Sequence, residues 1–237
     1  MKKFLALFVF AYFVSSCAEL QSVANQFPAT SGVLSSADIA SGLRQALDKG
    51  ISTQVVKLTA TDGFYKNQLV KILLPAELRK VDQGLRAIGL GSLADEGLLL
   101  MNRAAEDAVK EATPIFISAV KGITFNDAKT ILLGDKKAAT YYLEQSTNSA
   151  LYSKFNPVIR KSFDKVGAAK VWSNLITKYN SIPLVTKVNP DLTDYVTKQA
   201  LEGVYKMIAI EEQNIRNNIS ARTSILMQRV FALQDRK

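Results

Sequence analysis

Apolar residues recur along this chain at helical spacing for most of its length. Ile39, Leu43, Leu47, Ile51, Val55 and Leu58 follow one another at intervals of four, four, four, four and three. That pattern draws one apolar stripe down a long helix. Ser35 or Ser36 is placed to cap it, and Asp38 falls in its first turn. Thr61-Asp62-Gly63 is a turn signal that stops it. Phe64 to Leu74 is the one stretch with an extended character, because Leu74 precedes Pro75 and a proline ring pushes its predecessor toward β or polyproline geometry.

Further helices follow from local punctuation. Pro75 suits the first turn of a helix running to about Ile88, which Gly89 and Gly91 interrupt. Ser92 can cap the next, over Leu93 to Ala112. Thr113-Pro114 then reads as a cap and first-turn proline for a short helix to Val120. Thr124 caps another that ends with Gly134 as its C′ residue. Asp135 to Val166 reads as two helices broken near Asn156-Pro157, and Ala168 to Tyr179 as one more with Val171, Trp172, Leu175 and Ile176 on its apolar face. A loop with Pro183 and Pro190 leads to a long helix from about Asp194 to Asn214, and Ser220 can cap a final one. No repeat or low-complexity tract is seen. The predicted fold is all-α, a single multi-helix domain of about eight to ten helices.

The N-terminus reads as an address. Lys2 and Lys3 precede an unbroken apolar run from Phe4 to Val14, too short to span a bilayer core as a helix. The run ends in Val14-Ser15-Ser16-Cys17, which resembles the lipobox of bacterial lipoproteins. Small side chains there suit the cut, and a free Cys17 thiol can form a thioether with diacylglycerol. The expected division is a lipoprotein signal peptide over 1–16, a lipidated cysteine and flexible tether over 17–36, and a helical domain over 37–237. Ala18 rather than Asp after the cysteine favours the outer membrane, by analogy with lipoprotein sorting. Several acyl chains, palmitate among them, would hold the protein firmly where one would not. The expected location is the outer membrane with the domain facing the periplasm.

Composition narrows the chemistry. The 237 residues hold 30 Lys and Arg, 21 Asp and Glu, one Cys and no His. Without His there is no Ser-His-Asp or Cys-His nucleophile pair and no imidazole metal site. One Cys excludes internal disulfides and multi-cysteine metal centres. No metal or other cofactor is therefore expected. The basic excess favours anionic lipid headgroups or peptidoglycan carboxylates, or serves solubility alone, and an exported protein rarely meets nucleic acid.

Several stretches occur together in one order: Asp62-Gly63-Phe64, Pro75-Ala76-Glu77-Leu78, Leu85-Arg86-Ala87-Ile88-Gly89, Asn102-Arg103-Ala104-Ala105-Glu106, Thr124-Phe125-Asn126-Asp127-Ala128 and Tyr195-Val196-Thr197. Glu211-Glu212 with Ile215-Arg216, and Ala221-Arg222-Thr223, complete the series. From about Gly42 to Phe231 the chain resembles the bacterial domain-of-unknown-function family 4197 (DUF4197), found in secreted or lipid-anchored proteins. Lys71-Ile72-Leu73-Leu74-Pro75 stands where Arg-Ile-Pro-Leu-Pro is expected. The resemblance implies no activity, cofactor or partner.

The polar residues in these stretches are the candidate site. Asn102, Arg103 and Glu106 share one side of a helix, and Glu212 precedes Arg216 by four residues, the favourable order for an ion pair. Converging in a groove, Arg103, Glu106, Glu211, Glu212, Arg216 and Arg222 would grip a carboxylate, phosphate or sugar through bidentate arginine contacts. The alternative is that they are surface ion pairs or a structural network joining helices. Glu106 with Glu211 or Glu212 would serve as glycosidase carboxylates if they sat about 5–10 Å apart across a cleft. Tyr141, Tyr142, Phe155, Phe163, Trp172 and Tyr179 either line a ligand pocket or belong to the core. The expected function is binding, either to an envelope partner or to a small anionic or amphipathic ligand. The alternatives are a carboxylate-dependent peptidoglycan hydrolase and a purely structural envelope protein.

Overall fold

The computed structural model describes residues 33–235 except 88, 90, 166–171, 174, 175, 178, 182, 185, 186 and 190. The expected leader, Cys17 and most of the expected tether lie outside the described residues. So does most of the segment expected as a helix over Ala168 to Tyr179, although Trp172 and Ile176 within it are buried. From Ser35 onward the chain forms one compact unit. Its described residues contain eight α-helices and no strand: α1 (Ser36–Thr59), α2 (Arg79–Ala87), α3 (Gly91–Val109), α4 (Ala112–Lys121), α5 (Phe125–Leu132), α6 (Ala138–Lys165), α7 (Leu192–Asn217) and α8 (Ile225–Asp235).

The core is organised by α7. It packs against α6, α1 and α3, and α1 in turn meets α4, α5 and α8. Val196, Ala200, Leu201, Val204, Tyr205, Ile208, Ala209 and Ile215 are all buried on it, so it is apolar around much of its circumference, as a central helix must be. Gly203 lets the Phe64 ring lie against it: a Cβ there would come within 2.7 Å of Phe64 Cε1. The α1 stripe is as the spacing requires, with Leu43, Leu47, Ile51, Val55 and Leu58 buried.

Two helix starts are fixed by reciprocal caps. Ser35 Oγ accepts from Asp38 N, while Asp38 Oδ2 accepts from Ser35 N at 2.9 Å. Thr124 and Asp127 do the same for α5, each box being worth roughly 0.5–2 kcal/mol.

Four local expectations are corrected. The break near Asn156-Pro157 is absent, and α6 runs through Pro157. Proline in a helix costs about 3 kcal/mol. Leu151, Phe155, Ile159 and Phe163, however, continue one buried line across it, each contributing roughly 1.5–3 kcal/mol that a break would forfeit. The final helix starts after Ser224, whose Oγ accepts from Met227 N, and Ser220 lies instead in a short 3-10 turn. Helix α4 begins at Ala112 with no side-chain cap, placing Thr113 inside it. Gly134 follows α5 without a left-handed backbone. Glycine is needed there because a Cβ would meet Thr130 O and the Ala138 Cβ at 2.8 Å.

The segment 64–74 forms turns and an extended run without a partner strand. Val70, Ile72 and Leu74 point inward while Leu69 and Leu73 are exposed. Side chains replace the missing ladder. Asn102 accepts from Ile72 N at 2.8 Å and donates to Ile72 O at 2.9 Å. Lys206 donates to Leu69 O, and Tyr195 to Leu73 O.

Candidate functional site

The candidate polar residues fall into groups with different partners. Asn102, Arg103 and Glu106, all on α3, hold the segment that follows α1. Glu106 Oε1 accepts from Phe64 N at 3.0 Å and Tyr65 N at 3.3 Å. Its Oε2 receives Arg103 Nη1 at 2.6 Å, and Arg103 Nη2 reaches Asp62 Oδ1 at 2.6 Å. Asp62 sits at φ 68°, a left-handed conformation that aspartate tolerates better than most residues. Its hydrogen bond from Lys66, with a second from Arg103, holds its carboxyl below the ordinary value.

Glu212, Arg216 and Arg222 meet at a junction of helix ends. Glu212 accepts from Ala139 N at 3.0 Å, from Thr140 N at 2.8 Å and from Thr140 Oγ1 at 2.7 Å, capping the start of α6. It also pairs with Arg216 at 2.9 Å. Arg216 donates to Ile131 O and Leu132 O at the end of α5 and to Gln234 Oε1. Arg222 donates to Ile215 O and Arg216 O near the end of α7, and forks onto Asp235 of α8. The Asp235 carboxyl is held below its ordinary value by that guanidinium. An anion thus stands at a helix N-terminus and cations at two C-termini, the signs the helix dipoles favour. Glu211 turns elsewhere, accepting from Gln54 Nε2 at 3.1 Å and Asn214 Nδ2 at 3.3 Å.

These hydrogen bonds commit the candidate residues to backbone and to one another. Asn102, Glu106, Glu211, Glu212, Arg216 and Arg222 are all buried. The carboxylates of Glu106 and Glu212 are engaged with amides at different places in the fold. A void of about 20 Å³ beside Glu212 and Arg216, walled mainly by Leu43, Leu47, Ile208, Ile215 and Phe231, has room for little more than a water molecule. Of the aromatic residues, Phe155, Phe163 and Trp172 are core, whereas Tyr141 is about half exposed.

Tyr141 belongs to an open groove of about 580 Å³ between the outer faces of α6 and α7. The helices run antiparallel, with Thr140 bonded to Glu212, Thr147 to Tyr205 and Asn156 to Thr197. Tyr141, Glu144, Asn148 and Tyr152 line one wall of the groove, and Lys198, Glu202, Lys206, Ile210 and Gln213 line the other. Thr140, Leu201, Tyr205 and Ala209 are buried beneath. Burial pushes the Tyr205 phenol up to about 12, so it stays protonated in its bond with Thr147. Lys198 is held by Asp194, which also accepts from Tyr152, and Lys206 is held by Leu69 O. Among the described residues, the side chains of Lys137, Glu144, Asn148 and Gln213 make no hydrogen bond, and they line the groove.

Sequence reasoning singled out Tyr141 alone among these. The available signal was Lys137, Tyr141, Glu144, Asn148 and Tyr152 at helical spacing on one face, polar residues with no partner of opposite charge one turn away.

Among the described residues no helix is long and apolar enough to cross a membrane, and no three His, Cys, Asp or Glu residues gather as a metal site. The molecule defined by this geometry is an all-helical domain whose buried charge pairs close helix ends and whose uncommitted polar groups line an outer groove. The chain belongs to the family described as protein of unknown function (DUF4197), whose model matches residues 33–232. No curated protein and no solved structure matches it.

Proposed function

We propose that this is a lipoprotein of the bacterial envelope, anchored in the outer membrane through Cys17, and that its domain acts by binding through the α6–α7 groove. The observation that carries the binding reading is the contrast between two sets of polar residues. The buried ones are consumed by the fold, whereas Lys137, Glu144, Asn148 and Gln213 are free and share one groove with an exposed tyrosine ring. Binding sites combine an apolar surface with a few convergent polar groups, and the groove has that composition. The anchoring reading rests on Val14-Ser15-Ser16-Cys17 at the end of the apolar leader.

The test places a photoreactive amino acid at Tyr141 or Ile210 in the intact envelope, with Val56 on the outer face of α1 as control. A discrete adduct at both groove positions and none at Val56 is expected. Adducts equal at all three positions, or at none, overturn the binding reading.

A further inference from the structure

Resting on that reading of the groove, we infer that its ligand is a neutral oligosaccharide. The lining argues against the other ligand chemistries. Glu144 and Glu202 stand on opposite walls, two of the three lysines are already held within the protein, and no arginine faces the groove. An anion would meet two carboxylates and one unengaged cation, Lys137. An acyl chain needs a closed apolar slot, yet this groove is open and its walls are charged. An extended peptide would need unpaired main-chain groups for strand addition, and both walls are helices whose amides and carbonyls are engaged internally.

A sugar chain matches what remains. A pyranose ring is apolar on its faces and polar around its edge. The exposed Tyr141 ring and Ile210 offer the apolar contact, over a buried floor of Leu201, Tyr205 and Ala209. Glu144 can accept two hydroxyl groups, Glu202 offers the oxygen that does not accept from Gln199 Nε2, and Asn148 and Gln213 both donate and accept. The groove runs from Lys137 to Tyr152, fifteen residues or about 22 Å along α6, long enough for several sugar units. Repeating polar groups on both walls suit a ligand with hydroxyls along both edges.

The experiment titrates the mature full-length protein, purified in a detergent without a sugar headgroup, with cellotetraose and with chitotetraose. Binding is read by saturation-transfer NMR and calorimetry. At least one of the two is expected to bind and to receive saturation from the ring of Tyr141. Glu144→Gln and Asn148→Ala are each expected to weaken binding about tenfold, the loss of one hydrogen bond to a ligand hydroxyl. Lys161→Ala, on the far part of α6, leaves it unchanged. The side chains of Glu144 and Asn148 carry no internal bond among the described residues, so the melting temperature stays constant and loss of binding is not loss of fold. Absence of binding by both oligosaccharides, or binding indifferent to the groove variants, overturns the inference. If photo-adducts at Tyr141 and Ile210 prove to be protein while both sugars fail, the groove is a binding surface of another class. If adducts and sugar binding are both absent, the groove reading falls with the inference.

Discussion

Replacing Glu212 by alanine tests the junction of helix ends most directly. The substitution strips the acceptor from Ala139 N, Thr140 N and Thr140 Oγ1, and leaves Arg216 buried without its carboxylate. Removing one partner of a buried ion pair costs roughly 3–5 kcal/mol. Arg216 keeps three acceptors, Ile131 O, Leu132 O and Gln234 Oε1, which pulls the cation's share toward the low end. The stranded first-turn amides of α6 act the other way, at about 1–3 kcal/mol for each unsatisfied buried group. The expected loss is about 4 kcal/mol. At roughly 2–4 °C per kcal/mol for a domain of this size, the melting temperature falls by about 8–16 °C. Urea denaturation followed by circular dichroism gives the free energy, and an unchanged slope shows that the denatured state is the same. Glu212→Gln keeps the shape and one acceptor, so it should fall between wild type and alanine. Combining Glu212→Ala with Arg216→Met should cost less than the two losses added, by about 1–3 kcal/mol. A loss below about 1 kcal/mol for Glu212→Ala refutes the reasoning, because that is the worth of a solvated surface pair.

Asn102→Ala should leave both backbone groups of Ile72 without partners, cost about 2–4 kcal/mol, and speed hydrogen exchange across 69–74 more than elsewhere. Gly203→Ala should destabilise by about 1–3 kcal/mol through overpacking against Phe64, measured by the same denaturation. Pro157→Ala should raise the melting temperature, because alanine restores an amide donor for Ser153 O inside a helix that already runs through this position. Asp62 and Asp235 have folded values below those of the unfolded chain, so their contribution is present above about pH 4 and is lost as pH falls through the folded values. Asp235→Asn should therefore flatten the fall of melting temperature as the pH drops below about 4. Cys17→Ser should release the protein from the membrane fraction and abolish incorporation of labelled palmitate, and retention with label would refute anchoring at that residue.

Features decided within one turn of chain were legible in the sequence. The boxes at Ser35/Asp38 and Thr124/Asp127 are short-range patterns, and the α1 stripe is a matter of period alone. Pro157 misleads because its cost is local while the compensating burial of Phe155 and Ile159 against other helices is not. The polar residues pose the same difficulty. Spacing picks out Glu212 and Arg216 as a pair, but the pair's work is done on Ala139, Thr140, Ile131 and Leu132, more than seventy residues away. Asp62, Gln234 and Asp235 complete these networks from loops and helix ends where no periodicity marks them. The groove is invisible for a related reason: it exists only once α6 and α7 lie antiparallel, and a helix face alone does not say what stands opposite.

The partners of Arg216 and Arg222 on α8 bear on when the fold can close. Gln234 and Asp235 arrive after every other helix has been synthesised or threaded across a membrane. A chain that has emerged only as far as α7 carries two guanidinium groups destined for the interior with part of their partners still missing. Such an intermediate can form α1 to α7 locally yet cannot bury those cations at full advantage, so it remains open and pliable until the last turn docks. If the chain is exported unfolded, as the proposed anchoring at Cys17 requires, that ordering would keep premature closure in check.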